Sequence, residues 1–174
     1  MPGIQVTVRP AGPADVAAIE AVDPVAAVDV ERRRFIAERV AAGQTLVAVG
    51  RDAVGHDAGR RLDHVAHGAG RHDLGDGDGV VVGYLVMDHG FFGRGFVVML
   101  CVHPEHRRRG IGRALMRRAE QGCATTRIFT STNRSNLPMQ RLLEGLGYRR
   151  SGEVDDLDPG DPEVFYSRWL GQRA

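Results

Sequence analysis

The chain has 174 residues, with an apolar share of 43%, a charged share of 26% and a formal net charge of +1. That length and balance fit one soluble globular domain over residues 1–174 and exclude a chain that coats nucleic acid through its overall charge. All 23 basic residues are arginine, which excludes a lysine Schiff base and the lysine of a phosphate-binding P-loop.

The N-terminal MPGIQVTVRP has no apolar signal core, and no run approaches the roughly 18 apolar residues of a spanning helix. The expectation is a cytoplasmic protein with no membrane segment. Cys101 and Cys123 stand in apolar or helical surroundings without CxxC spacing, so both read as free thiols.

Residues 4–8 alternate as Ile4, Val6 and Val8 and predict a strand, stopped by the prolines at 10 and 13. Residues 15–22 carry Val16, Ile19 and Val22 at near-helical spacing. A second helix is predicted over 28–42, with Phe35, Ile36 and Val40 on one face, ended by Gly43. QTLVAVG (44–50) is a strand. Residues 51–79 are rich in Gly, Asp, His and Arg and nearly devoid of large apolar side chains. They predict a mobile insertion between two strands of one sheet, not a domain boundary.

VVVGYLVMD (80–88) and FVVMLCV (96–102) are continuous apolar strands, joined by the turn GFFGRG. A helix follows to about Gln121, then the strand RIFTST (127–132). A helix over 136–146 places Met139, Leu142, Leu143 and Leu146 at i, i+3, i+4 and i+7, with Gly147 as its cap. YRRSGEV (148–154) and EVFYSRWL (163–170) close the chain as two strands around the acidic turn DDLDPGDP. The order β-α-α-β-β-β-α-β-α-β-β predicts a mixed α/β (α+β) domain. Its sheet is mainly antiparallel, with one strand–helix–strand unit at its middle.

The chemistry concentrates in HPEHRRRGIGRAL, residues 103–115. A long apolar strand leads through Pro104 into a helix that opens at Gly110-Ile111-Gly112. Glycines let backbone approach a ligand closely, and the free N–H groups and dipole of a helix start favour an anion. Arg107, Arg108 and Arg109 add charge just ahead. A phosphate or pyrophosphate cradle is the physical reading. The alternatives are a solvated basic turn or a nucleic-acid contact, the latter opposed by the absence of accompanying aromatics. A Walker loop fails for want of lysine. A Rossmann fingerprint fails because Leu115 takes the sixth position and a polar loop separates glycines from strand.

Arg107-x-x-Gly110-x-Gly112, after Val102-x-Pro104 and with an Asn-led helix one strand later, resembles the acyl-CoA-binding motif of the GNAT superfamily of N-acyltransferases. The element order resembles that family over roughly residues 4–170. The resemblance implies a sheet of about seven strands with four helices, splayed at its central strands. It implies that Leu100, Cys101 and Val102 contact the pantetheine arm and acetyl carbonyl through main chain. Arg107, Arg108, Arg109, Gly110, Ile111, Gly112 and Arg113 would bind pyrophosphate mostly through backbone N–H groups, with Arg108 or Arg109 meeting the 3′-phosphate or solvent. Asn136 would hold the cofactor arm, or else act as a plain helix N-cap. The family often reads N-x-x-A-x-x-x-Y here, with the tyrosine protonating the leaving thiolate. This chain has Asn136, Met139 and Leu143, so that acid is missing.

Candidates for the base are Asp88, His89 and Glu153. Tyr148 is a candidate proton donor, with a core position as the alternative. Cys101 reads as a small apolar filler rather than a nucleophile. No metal is expected. His56, His64, His67 and His72 match no zinc spacing, and DLGDGDG fails as a calcium loop because Leu74 and Leu85 replace the required acids. The acidic turn 155–163 is either a solvated hairpin or a lure for a cationic amine. The implied activity is acetyl transfer from acetyl-CoA to a primary amine of a small molecule, in a ternary complex. The alternatives are a protein or peptide amine as acceptor, and a catalytically silent CoA-binding sensor. The implied partners include neither nucleic acid nor membrane, and the protein would be a monomer or homodimer.

Overall fold

The computed structural model describes residues 5–51 and 79–171. Seven strands are β1 (Gln5–Pro10), β2 (Thr45–Arg51), β3 (Val80–Phe91), β4 (Arg94–Val102), β5 (Arg127–Asn133), β6 (Arg149–Val154) and β7 (Glu163–Trp169). Four helices are α1 (Val16–Val22), α2 (Val30–Ala41), α3 (Ile111–Gly122) and α4 (Leu137–Gly145). The strands form one sheet in the order β1-β2-β3-β4-β5-β7-β6. Only β4 and β5 run parallel, because α3 carries the chain between them. The mixed α/β class, the strand count and the central strand–helix–strand unit are as expected from the sequence. The polar stretch expected at 51–79 lies outside the described residues, apart from Arg51 at the end of β2 and Gly79 just before β3.

The sheet has helices on both faces, so its central strands are apolar on both sides. Ile111, Leu115, Met116 and Ala119 of α3 pack with Ile128, Leu143, Val164 and Tyr166 on one face. Ile19, Val22, Ile36 and Val40 of α1 and α2 pack with Val47, Tyr84 and Val86 on the other. Asp29 starts α2 by accepting the N–H groups of Glu31 and Arg32, which is why the helix begins two residues later than periodicity suggests. Phe35 is only half-buried, with the Arg39 guanidinium 5.2 Å from its ring centre.

Two strands outrun their predicted ends. β1 continues to Pro10, opposite Leu46, because an edge strand tolerates a residue with no N–H to give. The turn expected over 90–95 shrinks to Phe92 and Gly93, with Phe91 still paired to Arg94. Phe91 packs there against Phe96 and Phe129 at 4.9 and 5.2 Å, contacts that a turn signal built on glycines does not register.

β1 is tied to the start of α1 by a bidentate pair. Arg9 donates to both carboxylate oxygens of Asp15 at 2.7 and 2.8 Å, and the Gly12 N–H adds a third bond at 2.8 Å. The Arg9 hydrogen bonds hold the buried Asp15 carboxyl below its ordinary range, against the opposing pull of burial. A depressed carboxylate stabilises the fold fully above its unfolded-state pKa and loses that contribution as pH falls through the depressed value. Asp15→Asn is therefore expected to lower stability by about 1–2 kcal/mol at neutral pH. Denaturant titrations should show its deficit against wild type shrinking as pH drops below the usual carboxylate range.

Candidate functional site

The site begins where the central ladder stops. β4 and β5 pair only at Gly95–Ile128, Phe96–Phe129 and Val97–Thr130. The Thr130 hydroxyl donates to the Val97 carbonyl at 3.0 Å and closes the apex. Beyond it β5 stays with β7 through Asn133 while β4 stays with β3 through Val102, so the two strands diverge. The β3–β4 ladder shifts register between Val86 and Met87, leaving Val98 without an opposite residue. A bulge of this kind bends the strand and turns its polar groups outward.

A cavity of about 550 Å³ occupies the wedge and continues to the head of α3. Ten of the eleven predicted cofactor residues line it: Leu100, Cys101 and Val102 on β4, Arg107, Arg108 and Gly110 in the loop, Ile111, Gly112 and Arg113 on α3, and Asn136 ahead of α4. Arg109 is exposed and is not among the lining residues. His106, Pro138, Met139 and Leu142 complete the wall.

The loop's shape comes from two left-handed residues, Arg108 at φ 60° and Gly110 at φ 81°. Gly110 adopts that region freely, whereas Arg108 is strained in it. Alternating handedness of this type turns successive N–H groups into one concavity suited to an anion. The first N–H groups of α3, from Ile111 onward, have no carbonyl a turn earlier within the helix. Gly112 is held close: a Cβ there would meet Leu142 at 3.2 Å and Leu100 at 3.7 Å.

Two of the arginines are already engaged. Arg107 Nε donates to the Val102 carbonyl at 3.2 Å, and Arg113 donates to the Gly145 carbonyl at 3.0 Å at the end of α4. Asn136 lines the cavity, and its side chain accepts the Met139 N–H at 3.3 Å as the N-cap of α4.

The residues proposed for proton transfer are not brought to the cavity. Val102 lies opposite Gly83 on β3. His89 is six residues further along that strand, about 20 Å away, where its Nε2 accepts the Ala124 N–H at 3.4 Å. Asp88 sits beside it, paired with Arg39 at 3.3 Å. Glu153 is on β6 at the sheet edge, held by Arg134 and Arg150. Tyr148 is core, with its phenol raised by burial first and by Glu120 second. Glu120 is nine residues along α3 from Ile111, about 14 Å. Leu143, at the tyrosine position of the motif, is fully buried in the core. Among the described lining residues there is neither a carboxylate nor a tyrosine.

Cys101 faces the other side of the sheet, its sulfur 3.8 Å from the Val22 carbonyl. Burial, with the Asp23 carboxylate second, pushes its thiol up to about 11. It is a neutral thiol near pH 7, which suits a filler and not a nucleophile. Among the described residues no His, Cys, Asp and Glu gather closely enough to hold a metal ion. No helix among them is long and apolar enough to cross a membrane.

Residues 42–148 match the model of the acetyltransferase (GNAT) family. The fold is similar to that of a GNAT-family acetyltransferase from Bacillus cereus ATCC 10987, at 27% identity and a TM-score of 0.73, covering 95% of this chain and 97% of that one. It is also similar to YncA from Salmonella typhimurium, solved with its cofactor acetyl-CoA (22% identity, TM-score 0.65, 98% and 96% covered). A third relative in fold is the ribosomal-protein-S18-alanine N-acetyltransferase from Escherichia coli (14% identity, TM-score 0.62, 98% and 97% covered). No curated protein matches this sequence.

Proposed function

Given that the chain belongs to the acetyltransferase (GNAT) family, we propose that its cavity binds acetyl-CoA and that it transfers the acetyl group directly to the primary amine of a small molecule. The observation that carries this reading is the wedge between β4 and β5, which opens onto a turn of left-handed residues at a helix start. Main-chain groups of Leu100–Val102 have no β5 partner and, apart from the Val102 carbonyl that Arg107 engages, offer hydrogen bonds to the amides of an extended pantetheine arm, as an added strand would. The N–H groups from Arg108 to Gly112 suit a pyrophosphate. Asn136 adds a polar group on the α4 side, and Leu100, Met139 and Leu142 give the arm apolar walls. Arg107 and Arg113 shape this cradle through Val102 and Gly145 more than they charge it.

In the transfer, the neutral amine nitrogen forms a bond to the thioester carbon while the carbon–sulfur bond breaks and its electron pair leaves with sulfur. The nitrogen gives up one proton and the sulfur gains one. The described wall carries His106 but no carboxylate or tyrosine, and Asp88 lies on the opposite face as the register partner of Phe96. In this reading water links both reacting atoms to bulk solvent. A thiolate of an alkyl thiol, pKa about 8.5, leaves without a strong acid. In this reading the protein acts in the cytoplasm, as a monomer or homodimer.

The buried Leu143 favours a second reading, in which the domain binds CoA as a sensor without turnover. A protein or peptide amine is the other acceptor class. Acetyl-CoA at about 100 times its Kd should stabilise the protein by roughly 2.7 kcal/mol, visible as a raised melting temperature. Thiol release over a panel of amines and peptides then separates enzyme from sensor and ranks the acceptors. Direct transfer predicts intersecting initial-rate plots and no acetyl label on the protein when amine is omitted. Parallel plots with an acetylated Cys101 would reverse that mechanism.

A further inference from the structure

Five of the six phenylalanines gather at one end of the sheet. Phe91 stacks on Phe165 at 5.8 Å and lies 4.9 Å from Phe96 and 5.2 Å from Phe129, while Phe92 stands edge-on to it at 5.1 Å. Phe96 and Phe129 are register partners on β4 and β5. They face away from Ile128, which belongs to the α3 core. The core under α1 and α2 draws on β2, β3 and β4 but on no residue of β5, β6 or β7. Among the described residues, this aromatic floor is left half-exposed.

The floor adjoins the place where acetyl transfer would occur. The Phe96–Phe129 rung is one step before Val97–Thr130, the last rung of the ladder. The gap beyond it joins the two faces of the sheet. On the α3 side the wedge is the cofactor cavity, so a second substrate reaches the gap from the opposite face, across these rings. The turn points the same way. Phe92 is 88% exposed and has φ 49°, a left-handed conformation that strains a bulky side chain and that Asn or Gly adopts easily. The edge-on contact with Phe91 uses only one side of the ring, and contact with a ligand would use the rest.

We propose that the floor of Phe91, Phe96, Phe129 and Phe165, with Phe92 at its rim, selects acceptor amines that carry an aromatic or branched apolar body. Rigid rings bury large area at low entropic cost and attract an ammonium through their faces. The amine nitrogen then lies over the apex of the gap while its apolar body rests on the rings. This inference rests on the acetyl-transfer reading and adds the substrate class.

The test uses the whole protein, acetyl-CoA, and two acceptors of equal charge, glycinamide and phenylalaninamide, with thiol release as readout. Phenylalaninamide should exceed glycinamide at least tenfold in kcat/KM. Phe165→Ala and the milder Phe129→Leu should bring that ratio toward one, through KM for the amine and not KM for acetyl-CoA. Phe92→Asn should lower the ratio at least threefold while raising the melting temperature, a combination that a structural role does not produce. This variant keeps the test decisive if Phe165→Ala folds poorly. A flat ratio in wild type, a preference for glycinamide, or a wild-type dimer split by Phe129→Leu would overturn the inference. A thermal shift with acetyl-CoA but no acetylation of either amide also overturns it, whereas no shift at all defeats the acetyl-transfer reading itself.

Discussion

Gly112→Val is expected to weaken acetyl-CoA binding at least a hundredfold, about 2.7 kcal/mol, while Arg107→Ala weakens it only a few-fold. Gly112 lies on the first turn of α3, between two walls of the wedge. A Cβ there would stand 3.2 Å from Leu142 on α4 and 3.7 and 3.9 Å from Leu100 and Val102 on β4. Valine's further methyl groups have nowhere to go but into the cavity, where they would displace the ligand from the helix-start N–H groups. The Arg107 guanidinium already bonds the Val102 carbonyl, so its removal loosens the end of β4 without taking away a phosphate contact. Gly112→Ala separates fold from function. The nearest atom, Leu142 Cδ2, is the flexible end of a side chain and can give way, and alanine favours a helix over glycine by roughly 0.5–1 kcal/mol. Alanine should therefore leave the melting temperature level or higher while still reducing affinity. Calorimetric titration with acetyl-CoA beside thermal melts measures both quantities. A larger loss for Arg107→Ala than for Gly112→Val would mean that side-chain charge, not backbone, holds the anion.

The strands and helices were legible because burial imposes period on this sequence. Val80–Val86 and Phe96–Val102 read as central strands since both faces of the sheet are covered. The glycine turn read as an anion cradle because Gly110 takes a left-handed φ without strain and Gly112 leaves backbone open to a ligand. What periodicity could not do was divide an apolar helix face between core and cavity. Met139, Leu142, Leu143 and Leu146 share one stripe on α4, yet Leu143 and Leu146 are core while Met139 and Leu142 line the wedge. The difference is which element stands opposite, and that is tertiary. The proton-transfer candidates lie off the cofactor cavity for a related reason. Arg134 and Arg150 engage Glu153 at the sheet edge, and His89 lies towards the Phe91 end of β3, away from Val102. His106 carried no signal beyond its place in HPEH, and only the fold of the loop turns it to the cavity wall.

The largest effect on folding is expected at Asp23, which the sequence did not single out. Asp23 caps α1 and is 4% exposed. It accepts the Tyr84 hydroxyl at 2.6 Å and the Val25 N–H at 2.9 Å, and Arg32 Nε lies 3.7 Å away. Tyr84 is itself fully buried, and burial first, then the Asp23 hydrogen bond, raise its phenol so that it stays protonated. Asp23→Ala strands that hydroxyl and the Arg32 charge together and should cost about 3 kcal/mol, a fall in melting temperature of roughly 10 °C for a domain of this size. Asp23→Asn keeps an acceptor for Tyr84 and should cost less than half as much. Tyr84→Phe removes only the donor, and the double variant should lose less than the sum of the single changes, because the two groups share one bond. The network lies over Cys101, whose opposite neighbour on β3 is Tyr84, so it fixes the α1–α2 loop against the strand that lines the wedge. Conservative loss of that anchor, in Tyr84→Phe, should therefore raise KM for the amine while leaving acetyl-CoA affinity nearly unchanged. Equal damage to both constants would place the network under the cofactor cradle instead of beside the acceptor path.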